Sequence, residues 1–194
     1  VPRPPPGDPI TLYLIDVSGY VFRAYHALPP LVSPTGEPTH AVLGVTGMLL
    51  KLVAERRPAR IAMAMDSRTP SFRHERYAAY KANRPESPPD LTRQMERVQE
   101  VVEVLGFPVL QQDGFEADDL IASAVHAARA GGLNVVIVSS DKDLLQLVGE
   151  GVWMLDTARE RCFDARETEV KLGVPPGQVR DYLALVGDSS DNVP

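Results

Sequence analysis

The chain has 194 residues, 44% of them hydrophobic and 24% charged, enough apolar side chain for one sizeable core and too much for a generally disordered chain. Its net charge of −6 excludes a uniformly basic nucleic-acid coat, and its one cysteine, Cys162, excludes an intramolecular disulfide. No secretory apolar segment and no apolar run long enough for a bilayer occurs, so a cytoplasmic protein with no membrane partner is expected.

Five prolines in the first nine residues predict a disordered, unpaired lead, with the folded domain over residues 10–194. Residues 10–15 form an apolar strand-like run that ends at Asp16, followed by a helix near residues 19–27 and a proline-rich loop over 28–38. Thr39 is the expected N-cap of a helix to Arg56, on which Val42, Val45, Leu49, Leu52 and Val53 recur at three- and four-residue steps. Gly44 and Gly47 in that helix would let another backbone come close. A second strand, residues 60–65, ends at Asp66. Residues 67–84 then carry Arg68, Arg73, Arg76, Lys81 and Arg84 against Glu75 alone, a net charge of +4. Leu91, Met95, Val98, Val101, Val102 and Leu105 mark an amphipathic helix closed by Gly106. A third strand is expected over 107–112, and a helix over 116–130 on which Asp118 shares a face with Ile121, Ala122 and Val125. After a fourth strand at 134–139, Asp141 is expected to cap a short helix through Val148. Strands at 152–155 and 161–163 and helices near 165–172 and 176–186 complete the chain.

Strands alternating with helices predict an α/β fold with a mostly parallel central sheet and helices on both faces. In such sheets ligands bind outside the carboxyl ends of the strands, which is where Asp16, Asp66, Glu116, Asp118, Asp119, Asp141 and Asp143 fall. Without these seven acids the remainder of the chain would carry +1, so the acidity is local. Two unit charges ~4 Å apart repel by about 1 kcal/mol in water and about 4 kcal/mol at an effective dielectric near 20. Such a cluster needs bound cations or raised pKa values, and a divalent-metal hydrolase site is the simpler solution. Each motif taken singly, Glu116-Ala-Asp-Asp119 or Asp141-Lys-Asp143, is equally a well-capped helix start; four such acid groups at one sheet edge are not. His26, His40, His74 and His126 are dispersed, and neither a Gly-x-Ser-x-Gly elbow nor a Walker A loop is present. Asp156 also ends a strand, but a turn role suffices for it.

Asp16 followed by Arg23-Ala-Tyr-His-Ala27, then Tyr80-Lys-Ala-Asn-Arg84, Glu116-Ala-Asp-Asp119, Ser140-Asp-Lys-Asp143 and Gly187-Asp-Ser-Ser-Asp-Asn192, resembles in order and spacing the 5′-3′ exonuclease domain of bacterial DNA polymerase I, the flap endonuclease family. The resemblance covers residues 10–194 and implies a PIN-like, 5′ nuclease resolvase-like fold. It also implies one metal among Asp16, Asp66, Glu116 and Asp118 and a second among Asp118, Asp141, Asp143 and Asp191, with Asp119 and Asp188 as outer partners. All-oxygen ligands suit two Mg²⁺ or Mn²⁺ ions, and the lack of a Cys/His cluster argues against zinc. On the same resemblance Lys81, Arg84 and Arg23 meet phosphate, Tyr80 stacks on a terminal base, and Arg73 and Arg76 bind substrate. The implied partners are DNA with a 5′ flap, a nick or a single-stranded 5′ end, RNA primers, and a polymerase portion of the same gene product.

The chain departs from the family in two places. It reads Asp16-Val-Ser-Gly19 where the family usually has glycine after the first aspartate, so a shifted loop is expected there. It also stops at Pro194, where the family continues into a helix-hairpin-helix element, so a catalytic half without that element is expected. The rival readings are a DNA-binding or assembly module with little turnover and a PIN-like single-strand ribonuclease.

Overall fold

The computed structural model describes residues 3–194. Six strands form one sheet in the order β3-β2-β1-β4-β5-β6. They are β1 (Thr11–Asp16), β2 (Arg60–Ala64), β3 (Val109–Leu110), β4 (Asn134–Val138), β5 (Val152–Asp156) and β6 (Arg161–Phe163). All neighbours pair in parallel except β5 and β6, the edge hairpin. The helices are α1 (Val17–Ala27), α2 (His40–Arg56), α3 (Phe72–Arg76), α4 (Pro89–Val104), α5 (Ala117–Ala130), α6 (Ala165–Leu172) and α7 (Pro176–Val186). Lys142–Leu147 form a 3₁₀ helix.

Because strand side chains alternate between faces, the central strands bury two cores at once. Tyr13 and Ile15 of β1 with Val136 and Val138 of β4 face α1, α2 and α4, through Val21, Val45, Leu49, Leu91 and Val98. Leu14, Val135 and Ile137 face the other way, onto Ile121 and Val125 of α5 and Leu144 and Leu145 of the 3₁₀ helix. The chain leaves β1 for β2 on one side and later places β4 on the other, so the strand order reverses at β1. Asp16, the last residue of β1, stands at that switch point.

Some expectations change in the fold. The third strand is shortened to two residues, pairing Val109 and Leu110 with Met63 and Ala64. It is the sheet edge, and Pro108 has no N–H to extend the ladder, though its carbonyl accepts from Met63 N at 2.8 Å. Thr39 precedes α2 but makes no side-chain cap; its hydroxyl donates instead to the Leu31 carbonyl at 3.4 Å. Gly44 does mark a close approach, since a methyl there would meet Ala24 Cβ of α1 at 3.0 Å, whereas Gly47 has open space. The proline-rich lead is not unpaired over residues 3–9: Pro4 is buried, Gly7 N donates to the Arg56 carbonyl at 2.8 Å, and Arg60 donates to Pro9 O at 3.0 Å. Proline lacks a donor but keeps its carbonyl, and α2 and β2 supply partners for this segment. Residues 1 and 2 lie outside the described residues.

Candidate metal centre and nucleic-acid face

A cavity of about 990 Å³ opens at the carboxyl edge of the sheet, and Asp16, Asp66, Glu116, Asp118, Asp119, Asp141, Asp143, Asp188 and Asp191 all line it. Local chain geometry aims them. Asp16 caps α1, its Oδ1 accepting from Gly19 N at 2.8 Å. A methyl group at position 19 would overlap the Asp16 carboxylate and force it to shift, so glycine there keeps the carboxylate in place. The helix thus starts directly after Asp16, and the Val-Ser-Gly sequence is accommodated by this cap. The other oxygen, Oδ2, accepts from Ser139 Oγ at 2.7 Å, and the same Oγ accepts from Asp141 N at 3.0 Å. One fully buried serine therefore ties the end of β1 to the turn after β4. Asp66 is held between elements as well: its N donates to Ser18 Oγ at 2.9 Å and its Oδ1 accepts from Ala117 N at 2.8 Å, in the first turn of α5. Asp141 Oδ1 accepts from Asp143 N at 2.9 Å, the expected cap.

The acids divide into two groups by their partners. Those on one side are ion-paired. Lys81 Nζ donates to Glu116 Oε1 at 2.8 Å, Arg73 forms two 2.7 Å bonds to Asp119, and Arg84 pairs with Asp191. Lys142 Nζ donates to Asp143 at 2.9 Å and to Asp188 at 3.1 Å. Burial opposes the charge on Glu116 and Asp119, yet Lys81 and Arg73 outweigh it and hold both carboxyls below the ordinary range. Asp16, Asp66, Asp118 and Asp141, by contrast, have no ion-pair partner among the described residues. Burial, opposed only by the bonds from Ser139 and Gly19, pushes Asp16 up to about 6. Burial and then the charges of Asp16, Asp141, Asp66 and Asp143 push Asp118 up to about 8.

These four unpaired carboxylates are oxygen donors of the kind a hard divalent cation takes. Among the described residues no three acidic, His or Cys side chains are grouped so as to hold an ion as they stand. Asp16, Asp66 and Asp141 each accept from separate backbone or hydroxyl donors.

The basic residues separate in space. Arg73, Lys81 and Arg84 line the cavity, and residues 78–83 are a series of turns; Lys81 has φ 55°, and its N–H donates to Asp191 O at 2.9 Å. Tyr80 also lines it but is only 7% exposed, with its hydroxyl donating to Glu116 at 2.9 Å and to Asp191 at 3.1 Å. Its ring packs edge-on against His74 at 5.2 Å, and its hydroxyl links two of the acids. Arg76 does not reach the cavity, since its guanidinium lies over the Phe72 ring. Arg23 does not line it either: it pairs with buried Asp156 at 3.2 Å, drawn there because that carboxylate would otherwise be costly. Asp156 has the turn role expected of it, accepting from Ala158 N at 3.0 Å and Arg159 N at 3.2 Å. Arg23 faces a second cavity, of about 600 Å³, between α1, α2 and the β5–β6 turn.

Sequence reasoning missed Lys142, Arg159 and Lys171, which also line the acidic cavity, and the bridging Ser139. Lys142 was visible between two acids in Asp141-Lys-Asp143. The others arrive from the β5–β6 turn, α6 and a buried strand end, and no local pattern marks them.

The family described as "5′-3′ exonuclease, N-terminal resolvase-like domain" matches residues 11–173, most of the chain and all six strands. The chain belongs to this family. DNA polymerase I of Pseudomonas aeruginosa is 43% identical over 183 residues, which are 94% of this chain and 20% of that protein. The 5′-3′ exonuclease of Aquifex aeolicus is 41% identical over 184 residues, 95% of this chain and 64% of its own length. The chain thus spans about a fifth of the polymerase and less than two thirds of the exonuclease. Among solved structures, the T5 D15 protein co-crystallised with metal ions superimposes with a TM-score of 0.74 at 21% identity, over 94% of this chain and 68% of that one. The bacteriophage T5 D15 flap endonuclease in a complex with DNA and metal ions gives 0.72 at 20% identity, with the same coverage of 94% and 68%. These two likenesses are likenesses of fold.

Proposed function

We propose that this chain is the catalytic part of a divalent-metal-dependent 5′ nuclease that hydrolyses DNA phosphodiesters at flaps, nicks and single-stranded 5′ ends. The observation that carries this reading is the set of four carboxylates without ion-pair partners, Asp16, Asp66, Asp118 and Asp141, converging on one cavity in a chain of the 5′-3′ exonuclease family. The donor set fits two Mg²⁺ or Mn²⁺ ions, one held by Asp16, Asp66, Glu116 and Asp118, the other by Asp118, Asp141, Asp143 and Asp191, with Asp119 and Asp188 as outer partners. Such ions, when bound, lower the pKa of water and stabilise the attacking and leaving oxygens of a phosphodiester.

The protein's own residues do the rest. Ser139, Gly19 and Ala117 N–H fix the carboxylates before substrate arrives. Lys81, Arg73 and Arg84 place positive charge at the cavity rim, where a phosphate that displaces their carboxylate contacts would be held and its developing charge stabilised. Removing one such donor costs about 10² to 10³ in kcat, so Lys81→Ala should slow single-turnover cleavage by that much at saturating enzyme. An unchanged saturated rate with weaker binding would make Lys81 a binding residue only. The relatives named DNA polymerase I support work beside a polymerase; a role in replication and repair, RNA primers among the substrates and a cytoplasmic location are part of the same proposal.

The test is cleavage of a 5′-labelled flap, single-stranded DNA and single-stranded RNA, in Mg²⁺ and in EDTA, by the parent chain and by Asp118→Ala and Asp141→Ala. Metal-dependent DNA cleavage that both substitutions abolish is expected. Cleavage of RNA alone would favour the ribonuclease reading, and DNA binding without turnover would favour a binding module.

A further inference from the structure

Three of the four cations that pair with acids in the cavity come from the segment between β2 and α4. Lys142 does not. It lies inside Asp141-Lys-Asp143 itself, and its side chain folds back so that Nζ sits 2.9 Å from Asp143 Oδ1 and 3.1 Å from Asp188 Oδ2. It thereby joins the turn after β4 to the turn after α7. Burial works against this ammonium, yet the two carboxylates prevail and hold its pKa above the ordinary lysine value. Asp188 is anchored for the purpose by Ser190, whose N–H donates to it at 2.8 Å. The inner carboxylates Asp16, Asp66 and Asp118 have no such cation among the described residues.

We propose that Lys142 is a resident counter-cation for the second ion position: its ammonium fills the gap between Asp143 and Asp188 until a divalent ion displaces it, so the two positions fill in order. The inference rests on the two-ion reading above. The first ion can enter among Asp16, Asp66 and Asp118, which have no cation partner among the described residues; of its ligands only Glu116 holds an ammonium, that of Lys81. The second must share Asp143 with an ammonium or expel it, and a like charge in the vicinity weakens its binding. Lys142 is a positioning residue in this scheme, and it makes the second affinity lower than the first while keeping the metal-free cavity from spreading.

The experiment is Mn²⁺ titration at fixed ionic strength, with free Mn²⁺ counted by electron paramagnetic resonance, on the parent chain, Lys142→Met and Lys142→Arg. Two classes of site, one tight and one weak, are expected for the parent. Lys142→Met should tighten the weak class by about tenfold or more while the tight class stays within about twofold, the size expected when one like charge is removed near a single ion. Lys142→Arg retains a cation and should behave as the parent. The Lys142 side chain is 46% exposed, so its replacement leaves the core intact, and a purely structural role would weaken both classes together. An unchanged or weakened second class in Lys142→Met, with a normal first class, overturns the proposal alone. No Mn²⁺ binding by any of the three proteins overturns the metal reading and this inference with it.

Discussion

Asp118 has burial and four neighbouring carboxylates set against its charge, which push its carboxyl up to about 8. A carboxyl whose folded pKa is raised costs stability as pH rises above the ordinary aspartate pKa, and the cost grows until pH passes the folded value, so at pH 7 a neutral isostere relieves the protein. Asp118→Asn should therefore raise the Tm of the metal-free protein, by on the order of 1–3 kcal/mol or several degrees, while abolishing cleavage. A lower Tm in EDTA would show that this carboxylate is stabilising and that the site is not poised for a cation. Ser139 makes the complementary case. Its hydroxyl holds both Asp16 and the Asp141 N–H, so Ser139→Ala should keep the fold but weaken Ca²⁺ binding by about 10–100-fold in calorimetry, the usual cost of losing an outer-shell partner.

Helix starts set the direction of most of the functional side chains. Asp16 begins α1, and the Glu116/Asp119 capping box begins α5 and delivers Asp118 one residue before its own closing member. Capping away from the cavity can be tested without disturbing metal. Asp164 caps α6, its Oδ1 accepting from Glu167 N at 2.9 Å, and that bond holds its carboxyl below the ordinary value. The sign follows: the stabilisation is fully present above the ordinary aspartate pKa and disappears as pH falls through the lower folded one. Urea unfolding should show Asp164→Ala destabilised by about 1 kcal/mol at pH 7, with the difference shrinking below about pH 3. A difference that grows on acidification would mean that the cap does not act through its charge.

For the whole molecule, the net charge of −6 is unevenly spread, with acids gathered in one cavity among arginines and lysines that come from several elements. A ligand that binds only the folded state stabilises it, by about 2.7 kcal/mol at a hundred times its Kd. Saturating Mg²⁺ should accordingly raise the Tm of this chain by about 5–10 °C, and EDTA should reverse the rise. Equal melting in Mg²⁺ and EDTA would leave the cavity as an acidic surface without a cation to hold.

Periodicity and termination signals are local, which is why the sequence located all the strands and the long helices, and why acids at strand ends pointed to one sheet edge. The side-chain period of two in β1 and β4 and the three- and four-residue steps in α2 and α4 are set by backbone geometry within each segment. The short third strand was less legible, because an edge strand answers to its neighbour more than to its own residues. Pairing between distant residues was decided in the tertiary structure alone. Arg23 and Arg76 share the basic character of Arg73 and Arg84, yet one turns to Asp156 and the other to Phe72. Tyr80 became a buried hydrogen-bond donor because Glu116 and Asp191, 36 and 111 residues away, meet over its hydroxyl. The sequence determined that carboxylates would gather where the strands end; which of them keep a cation, and which are left facing one another, depends on side chains brought together only by the folded chain.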